Sequence, residues 1–301
     1  MKVSVQPPKA PGWFFLILLI SVCTVTPLRS QPAPTIPRPD HIVLVIEENH
    51  SYSQIVGSTD APYINSLVKH GALFTQSFGI AHHSQPNYLV LFSGSAHGVT
   101  DNSCPHTFSA PNLRSKLNLA ELTFGGYSED IPSTGSTVCE ARAYVRKHNP
   151  WVNWQEASVN AVPSDENLPL ARFPTDFTTL PTVSIVVPNN YHNMHDGTDP
   201  DRIRRADEWL REHLDGYIQW TRNHNSLFIL TWDEGNKDDE ANRIPTIVVG
   251  PMVRPGQSSE KITHINVLRT LEDMYGLCSS GEGANAAPIL QIWAPVATSK
   301  P

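Results

Sequence analysis

The chain has 301 residues, 40% of them hydrophobic and 17% charged, enough for one large α/β domain with a substantial core or for two small ones. Its formal net charge is −7 and no basic run follows the first 30 residues, so binding to nucleic acid through the phosphate backbone is not expected.

Residues 1–30 read as a segment apart. Lys2 and Lys9 precede a mostly apolar run from Trp13 to Val25, and Pro27 to Pro39 is proline-rich. The apolar run is too short to span a bilayer and suits the centre of a signal peptide, with a retained membrane anchor as the competing reading. The expected organisation is a signal peptide over 1–30, a proline-rich linker over 31–39, one domain over 40–280 and a C-terminal tail over 281–301. Such a chain is exported, to the periplasm or the medium, with no stable membrane insertion after the signal is removed. Losing Lys2, Lys9 and Arg29 leaves 19 basic against 29 acidic residues, a net charge of −10. An oxidising compartment favours a disulfide. Cys104 and Cys139 both lie in the loop-rich middle and are paired in this reading, with Cys278 left over. The sequence has no Cys-x-x-Cys, which argues against a thiolate zinc site.

The first expected strand is the apolar run His41–Ile46. It ends in Glu47-Glu48-Asn49-His50-Ser51-Tyr52. Ala61–Phe74 reads as a helix, because Ile64, Leu67 and Val68 recur at helical spacing and Gly71 can end it. In the stretch from Ser77 to Gly94, Pro86 fits the first turn of a helix and puts Ser84 at its N-cap. A helix N-terminus offers free N–H groups and a positive dipole end, which suits a phosphate. A serine held there near a cation can be deprotonated and attack phosphorus; a plain capping serine is the alternative.

In the middle of the chain, Asn118–Phe124 reads as helical and Tyr127-Ser-Glu-Asp130 as a short strand end. Tyr144–Trp154 is dense in aromatics and contains Arg146, Lys147 and His148, a trio suited to a phosphate or to a packed surface turn. Thr182–Val187 is a further strand, with His192, His195 and Asp196 just beyond it. Asp201–Asn223 is the clearest helix: Ile203, Ala206, Leu210, Leu214 and Tyr217 form one apolar stripe. It leads to the strand Leu227–Thr231, which runs into Asp233-Glu234-Gly235. Buried parallel strands present functional groups at their C-terminal edge. Two strands ending in carboxylates can therefore hold one hard cation between them, and a cation is the simplest way to keep close carboxylates ionised. A strand over Ile244–Pro251, with a proline near its start, and an amphipathic helix over His264–Tyr275 complete the elements.

Five motifs occur in order: Glu48-Asn-His-Ser-Tyr52 after a strand, His82-His-Ser-Gln-Pro-Asn-Tyr-Leu89 before a helix, Tyr144-Val-Arg-Lys-His-Asn-Pro-Trp151, Asn193-Met-His-Asp196 and Thr231-Trp-Asp-Glu-Gly235. Together they resemble the bacterial phosphoesterase family of secreted acid phosphatases and phospholipases C, and most closely its small acid phosphatases that act on phosphoinositides. Ser84-Gln-Pro-Asn-Tyr88 is also similar to the nucleophile turn of nucleotide pyrophosphatases. The resemblance covers about residues 40–280. It implies an α/β fold with a mostly parallel central sheet flanked by helices, like the alkaline phosphatase core. It implies a divalent metal ion (Ca, Mg, Fe or Zn) held by Glu48, Asn49, Ser84, Asp233 and Glu234. Ser84 is expected to be the nucleophile, with His148 and His195 as further catalytic groups, and Asn87, Asp196 and His83 are expected to face the substrate. His264 is a further candidate, at the place of a late superfamily histidine.

The expected reaction is hydrolysis of a phosphate monoester, a small molecule or a lipid, through a phosphoseryl intermediate. A phospholipase C-type diesterase with the same site is the alternative, and a non-catalytic exported binding protein is a third reading. A sulfatase is disfavoured, because Tyr88 stands where its nucleophile motif has arginine.

Overall fold

The computed structural model describes Met1, residues 36–156 and residues 158–295. The expected signal peptide, apart from Met1, lies outside the described residues, as do residues 31–35 of the linker and 296–301 of the tail.

Residues 42–46 explain the architecture. Side chains alternate across a strand, so Ile42, Leu44 and Ile46 enter one apolar layer while Val43 and Val45 enter the other, and all five are essentially inaccessible. A strand buried on both faces must have helices above and below it. In chain order the elements are β1 (His41–Glu47), the single turn α1 (Tyr52–Ile55), α2 (Pro62–His70), β2 (Ala72–Phe78), α3 (Ser84–Ser93), α4 (Leu113–Leu119) and β3 (Phe124–Ser128). A hairpin of β4 (Glu140–Ala141) and β5 (Tyr144–Val145) follows, then β6 (Asn167–Pro169), β7 (Val183–Val187), α5 (Asp201–Thr221), β8 (Ser226–Trp232), β9 (Arg243–Ile244), β10 (Thr246–Val249), β11 (Gly256–Thr263) and α6 (His264–Tyr275).

The main sheet runs β11-β2-β10-β8-β1-β7-β3-β6, with β9 on β2. It is mostly parallel; β10 runs against β8 and β2, and β9 against β2. This is the α/β fold that the sequence implies. β1 lies between β7 and β8, in register as Leu44↔Ile185 and Leu44↔Ile229. Helices α3, α4 and α6 pack on the face of Ile42, Leu44 and Ile46; α2 and α5 pack on the other.

Three local expectations change. The helix expected over Ala61–Phe74 stops at His70, because the chain turns at Gly71 and Ala72–Phe78 is taken into the sheet as β2. A Cβ on Gly71 would lie 2.4 Å from the Val248 carbonyl oxygen, so the close approach to β10 requires glycine. The helix expected over Asn118–Phe124 is α4, set earlier at Leu113–Leu119 by the capping box of Asn112 and Ser115, and Phe124 opens β3. The edge strand β11 was not anticipated, since its polar, half-exposed run lacks the signature of a buried strand. Residues 281–295 hold little regular structure but are packed down: Ile289, Ile292 and Trp293 are buried in the α3-side layer. Cys104 and Cys139 form a disulfide, and Cys278 is free and exposed.

Candidate active site

The alternation that buries Ile42, Leu44 and Ile46 carries on to Glu48, the first residue past β1, and turns it toward α3. Glu47 falls on the opposite face, where both its oxygens are buried without a partner and burial, then Glu129 and Asp207, raise its pKa. The same parity along β8 brings Asp233 alongside Glu48. The two strand ends are joined by the Asp233 N–H, which donates to the Glu47 carbonyl at 2.9 Å, and by the Asn49 N–H, which donates to Asp233 Oδ1 at 3.1 Å. Asn49 sits at φ 54°, a left-handed conformation that asparagine tolerates better than most residues.

Helix α3 is buried along all ten residues and points its N-terminus at these carboxylates. The helix starts at Ser84, so the capping position falls to His83, one residue before the serine expected there. Ser84 Oγ donates to Glu48 Oε2 at 3.1 Å and to Glu234 Oε1 at 3.4 Å. One turn on, the Tyr88 hydroxyl donates to Glu48 Oε1 at 2.6 Å. Asn49 Nδ2 donates to Glu48 Oε2 at 3.0 Å, and His82 lies 3.1 Å from Glu234 Oε2.

The electrostatics follow from this crowding. Burial, then Asp233, raises Glu48 well above the usual carboxylate range, while the Tyr88 hydrogen bond and the Lys147 charge pull it back. Burial raises Asp233 as well, and Glu234 is pushed up to about 8 by burial and then by Asp233.

His148 comes from the turn after the β4–β5 hairpin. Its ring stacks on Tyr88, and Nε2 lies 3.0 Å from Glu48 Oε1 without hydrogen-bond alignment, so both ring nitrogens are buried without a partner. Burial, then Lys147 and His195, lowers its pKa well below the histidine norm. The turn is held by Trp151, which lies flat on Gly126 of β3: a Cβ there would come within 2.2 Å of the indole. Arg146 ties it further, through hydrogen bonds to the carbonyls of Thr137 and His106 on the two arms joined by the disulfide. His195 sits 5.7 Å from His148 between ring centroids, and its Nδ1 faces Asp196 Oδ1 at 2.7 Å. His192 turns away and pairs with Glu129. Ligand atoms of Glu48, His148 and His195 lie within 4.8 Å of one another, a grouping able to hold a metal ion.

The structure thus brings Glu48, Asn49, Ser84, Asp233, Glu234, His148 and His195 together. Asp196 is exposed and reaches the site through His195. His83 is exposed at the rim. Asn87 spends its side chain on the 80–83 loop, accepting from Ile80 and Ala81 and donating to Ala81 and His83, so it shapes that loop. His264 Nε2 donates to the Asp233 carbonyl at 2.6 Å and steadies the turn carrying the carboxylates; burial lowers its pKa to about 4.

Sequence reasoning passed over Tyr88, although it lies four residues after Ser84 on one helix face. It also passed over His50, whose nitrogens face the Glu48 carbonyl at 2.9 Å and Asp199 at 3.0 Å.

The Phosphoesterase family matches residues 58–278. The chain belongs to this family. As a phosphoesterase it is a phosphoric ester hydrolase. It is 45% identical over 279 residues to a phosphatidylinositol-3-phosphatase of Mycobacterium tuberculosis, covering 92% of this chain and 90% of that protein. It is 28% identical to a phosphate-repressible acid phosphatase of Penicillium chrysogenum, covering 76% of this chain and 58% of the fungal one. Among solved structures, a Vibrio parahaemolyticus protein in the alkaline phosphatase superfamily aligns with a TM-score of 0.55 at 12% identity, over 83% of this chain and 71% of that one, a likeness of fold.

Proposed function

We propose that this phosphoesterase is an exported acid phosphatase that hydrolyses phosphate monoesters, phosphoinositides among them, with Ser84 as nucleophile. The observation that carries the reading is the Ser84 hydroxyl, held at the mouth of a buried helix between carboxylates from two strands. The mycobacterial relative supports the phosphoinositide class by its name.

A divalent cation fits the residues present. Asp233 Oδ2 is buried with no partner, and the donors of Glu48, Asn49, Ser84, Asp233 and Glu234 are oxygens of the kind that hard cations take. When bound, such a cation screens the charge of the phosphoryl group and activates the serine hydroxyl. The Ser84 proton has two carboxylate acceptors in reach, Glu48 Oε2 and Glu234 Oε1. Ser84 Oγ attacks phosphorus, the bond to the leaving oxygen breaks, and a phosphoseryl intermediate forms. Asp196 holds His195 by Nδ1, which leaves Nε2 to give the leaving oxygen its proton. His148, buried against Tyr88, faces the transferred oxygens, while His83 and the loop braced by Asn87 border the substrate. Water then attacks the phosphoserine and releases phosphate. Residues 1–30 serve as the signal peptide, 31–39 as a linker, 40–280 as the phosphoesterase domain and 281–301 as its C-terminal tail.

Ser84→Ala tests the reading. Turnover of p-nitrophenyl phosphate is expected to fall by roughly 10³-fold or more, and rapid quenching of wild type with a ³²P-labelled monoester should trap label on Ser84. Retained turnover in Ser84→Ala removes the serine mechanism. Faster hydrolysis of the bis ester than of the monoester would favour the diesterase.

A further inference from the structure

Lys147 belongs to none of the roles above. It stands in the middle of the 3-10 turn Arg146–His148, between two fixed neighbours. Arg146 is buried and bonds to Asn153 Oδ1 and three carbonyls, while His148 is clamped against Tyr88 beside Glu48. The backbone under Lys147 is therefore held one residue from the site. Its side chain is half-buried and, among the described residues, makes no ion pair or side-chain hydrogen bond. Other cations near the site are committed: Arg202 pairs with Asp199, and Arg205 bonds to the Asp196 carbonyl and lies over Tyr191. Its neighbour His148 places Nε2 3.0 Å from Glu48 Oε1, so Lys147 stands one residue from the carboxylate cluster.

The charge balance gives this ammonium a task. Ionised around a bound divalent cation, the three carboxylates leave one net negative charge, and above its second pKa of about 6 a phosphate monoester arrives as a dianion. A fixed positive side chain is needed for the phosphoryl oxygens to enter. A diester brings a single charge and needs it less.

We propose that Lys147, unpaired beside the buried Glu48–His148 contact, binds the non-bridging oxygens of the transferring phosphoryl group and selects doubly charged monoesters over diesters. This rests on the monoesterase reading above. Lysine suits the role as a compact charge on a flexible stem.

The test uses the intact enzyme and Lys147→Gln and Lys147→Arg, with p-nitrophenyl phosphate, its bis ester and inorganic phosphate as inhibitor. Ser84→Ala supplies the activity floor. For Lys147→Gln, monoester kcat/KM is expected to fall about 30-fold or more and the phosphate inhibition constant to rise about tenfold or more. Bis ester turnover should stay within about threefold of wild type, or at the floor where wild type already lies there, and the melting temperature should hold. Lys147→Arg should recover most of the phosphate binding. The proposal is overturned by a monoester loss under threefold, by an unchanged phosphate inhibition constant, or by equal losses on both esters. Failure of the serine mechanism would show separately, as activity surviving in Ser84→Ala.

Discussion

Ser84 Oγ lies 3.1 Å from Glu48 Oε2, a contact between the first residue of a buried helix and the first residue past the central strand. Glu48 is fully buried and also receives Tyr88 and Asn49, with His148 alongside. Burial, then the like charges at Asp233 and Glu234, opposes its ionisation. Function and stability therefore pull in opposite directions here. Glu48→Gln is expected to reduce kcat/KM by roughly 10²-fold or more while raising the melting temperature of the cation-free protein. Activity assays and calorimetry in chelator check both halves; a variant that melts lower in chelator would contradict the like-charge account.

Tyr88 orients Glu48 through a 2.6 Å hydrogen bond. Partners that hold a metal-binding carboxylate commonly tune affinity by about 10–100-fold. Tyr88→Phe keeps the ring that stacks on His148 and removes only the hydroxyl. Cation titrations of activity should shift to higher concentration by that factor, with kcat at saturating cation changed less. An unshifted titration would place Glu48 outside the cation site.

Stability should depend on pH in a way that a cation cancels. Glu234 has its pKa raised from 4.5 to about 8 in the native state. Between those values the native protein holds a proton that the unfolded chain has released. This contribution is complete below pH 4.5 and is lost as pH rises toward 8. Glu48 and Asp233 shift in the same direction. In chelator the melting temperature should drop by roughly 3–8 °C from pH 5 to pH 8, and an added divalent cation should flatten the slope. Scanning fluorimetry across that range with and without cation decides the matter.

The bare face of Gly126 receives Trp151, and with it the turn that carries His148. Gly126→Ala would force the indole out of its place at a cost of about 1–3 kcal/mol. The expected result is a lower urea midpoint together with a loss of activity larger than the fall in folded fraction explains, because His148 moves with Trp151. A fully active, destabilised variant would show that His148 is held by other contacts.

Much of this site could be read from the chain, for a definite reason. Glu48 and Asp233 each follow an apolar strand, and strand parity fixes the side on which they emerge. Ser84 lies two residues before Pro86 and ahead of the apolar run Tyr88–Phe92, so its place at a helix mouth was legible too, although the cap itself falls on His83. Tyr88 was overlooked because a tyrosine on a buried helix face reads as packing; only the meeting of that face with Glu48 reveals its hydroxyl. The strand β2 was hidden because Ala72-Leu73-Phe74 continues the helical spacing of α2 and only Gly71 breaks it. The grip of Trp151 on Gly126 joins distant segments, and no local pattern announces it.

The position of β1 between β7 and β8 has a consequence for biosynthesis. Asn49 and Asp233, which close the site, are 184 residues apart. The earliest strand to leave the ribosome waits longest for its neighbours, and pairing over such separations is slow. Until β7 emerges this very apolar segment has no sheet neighbour, and until β8 follows it has only one, so in this chain the vulnerable moment is the interval of synthesis.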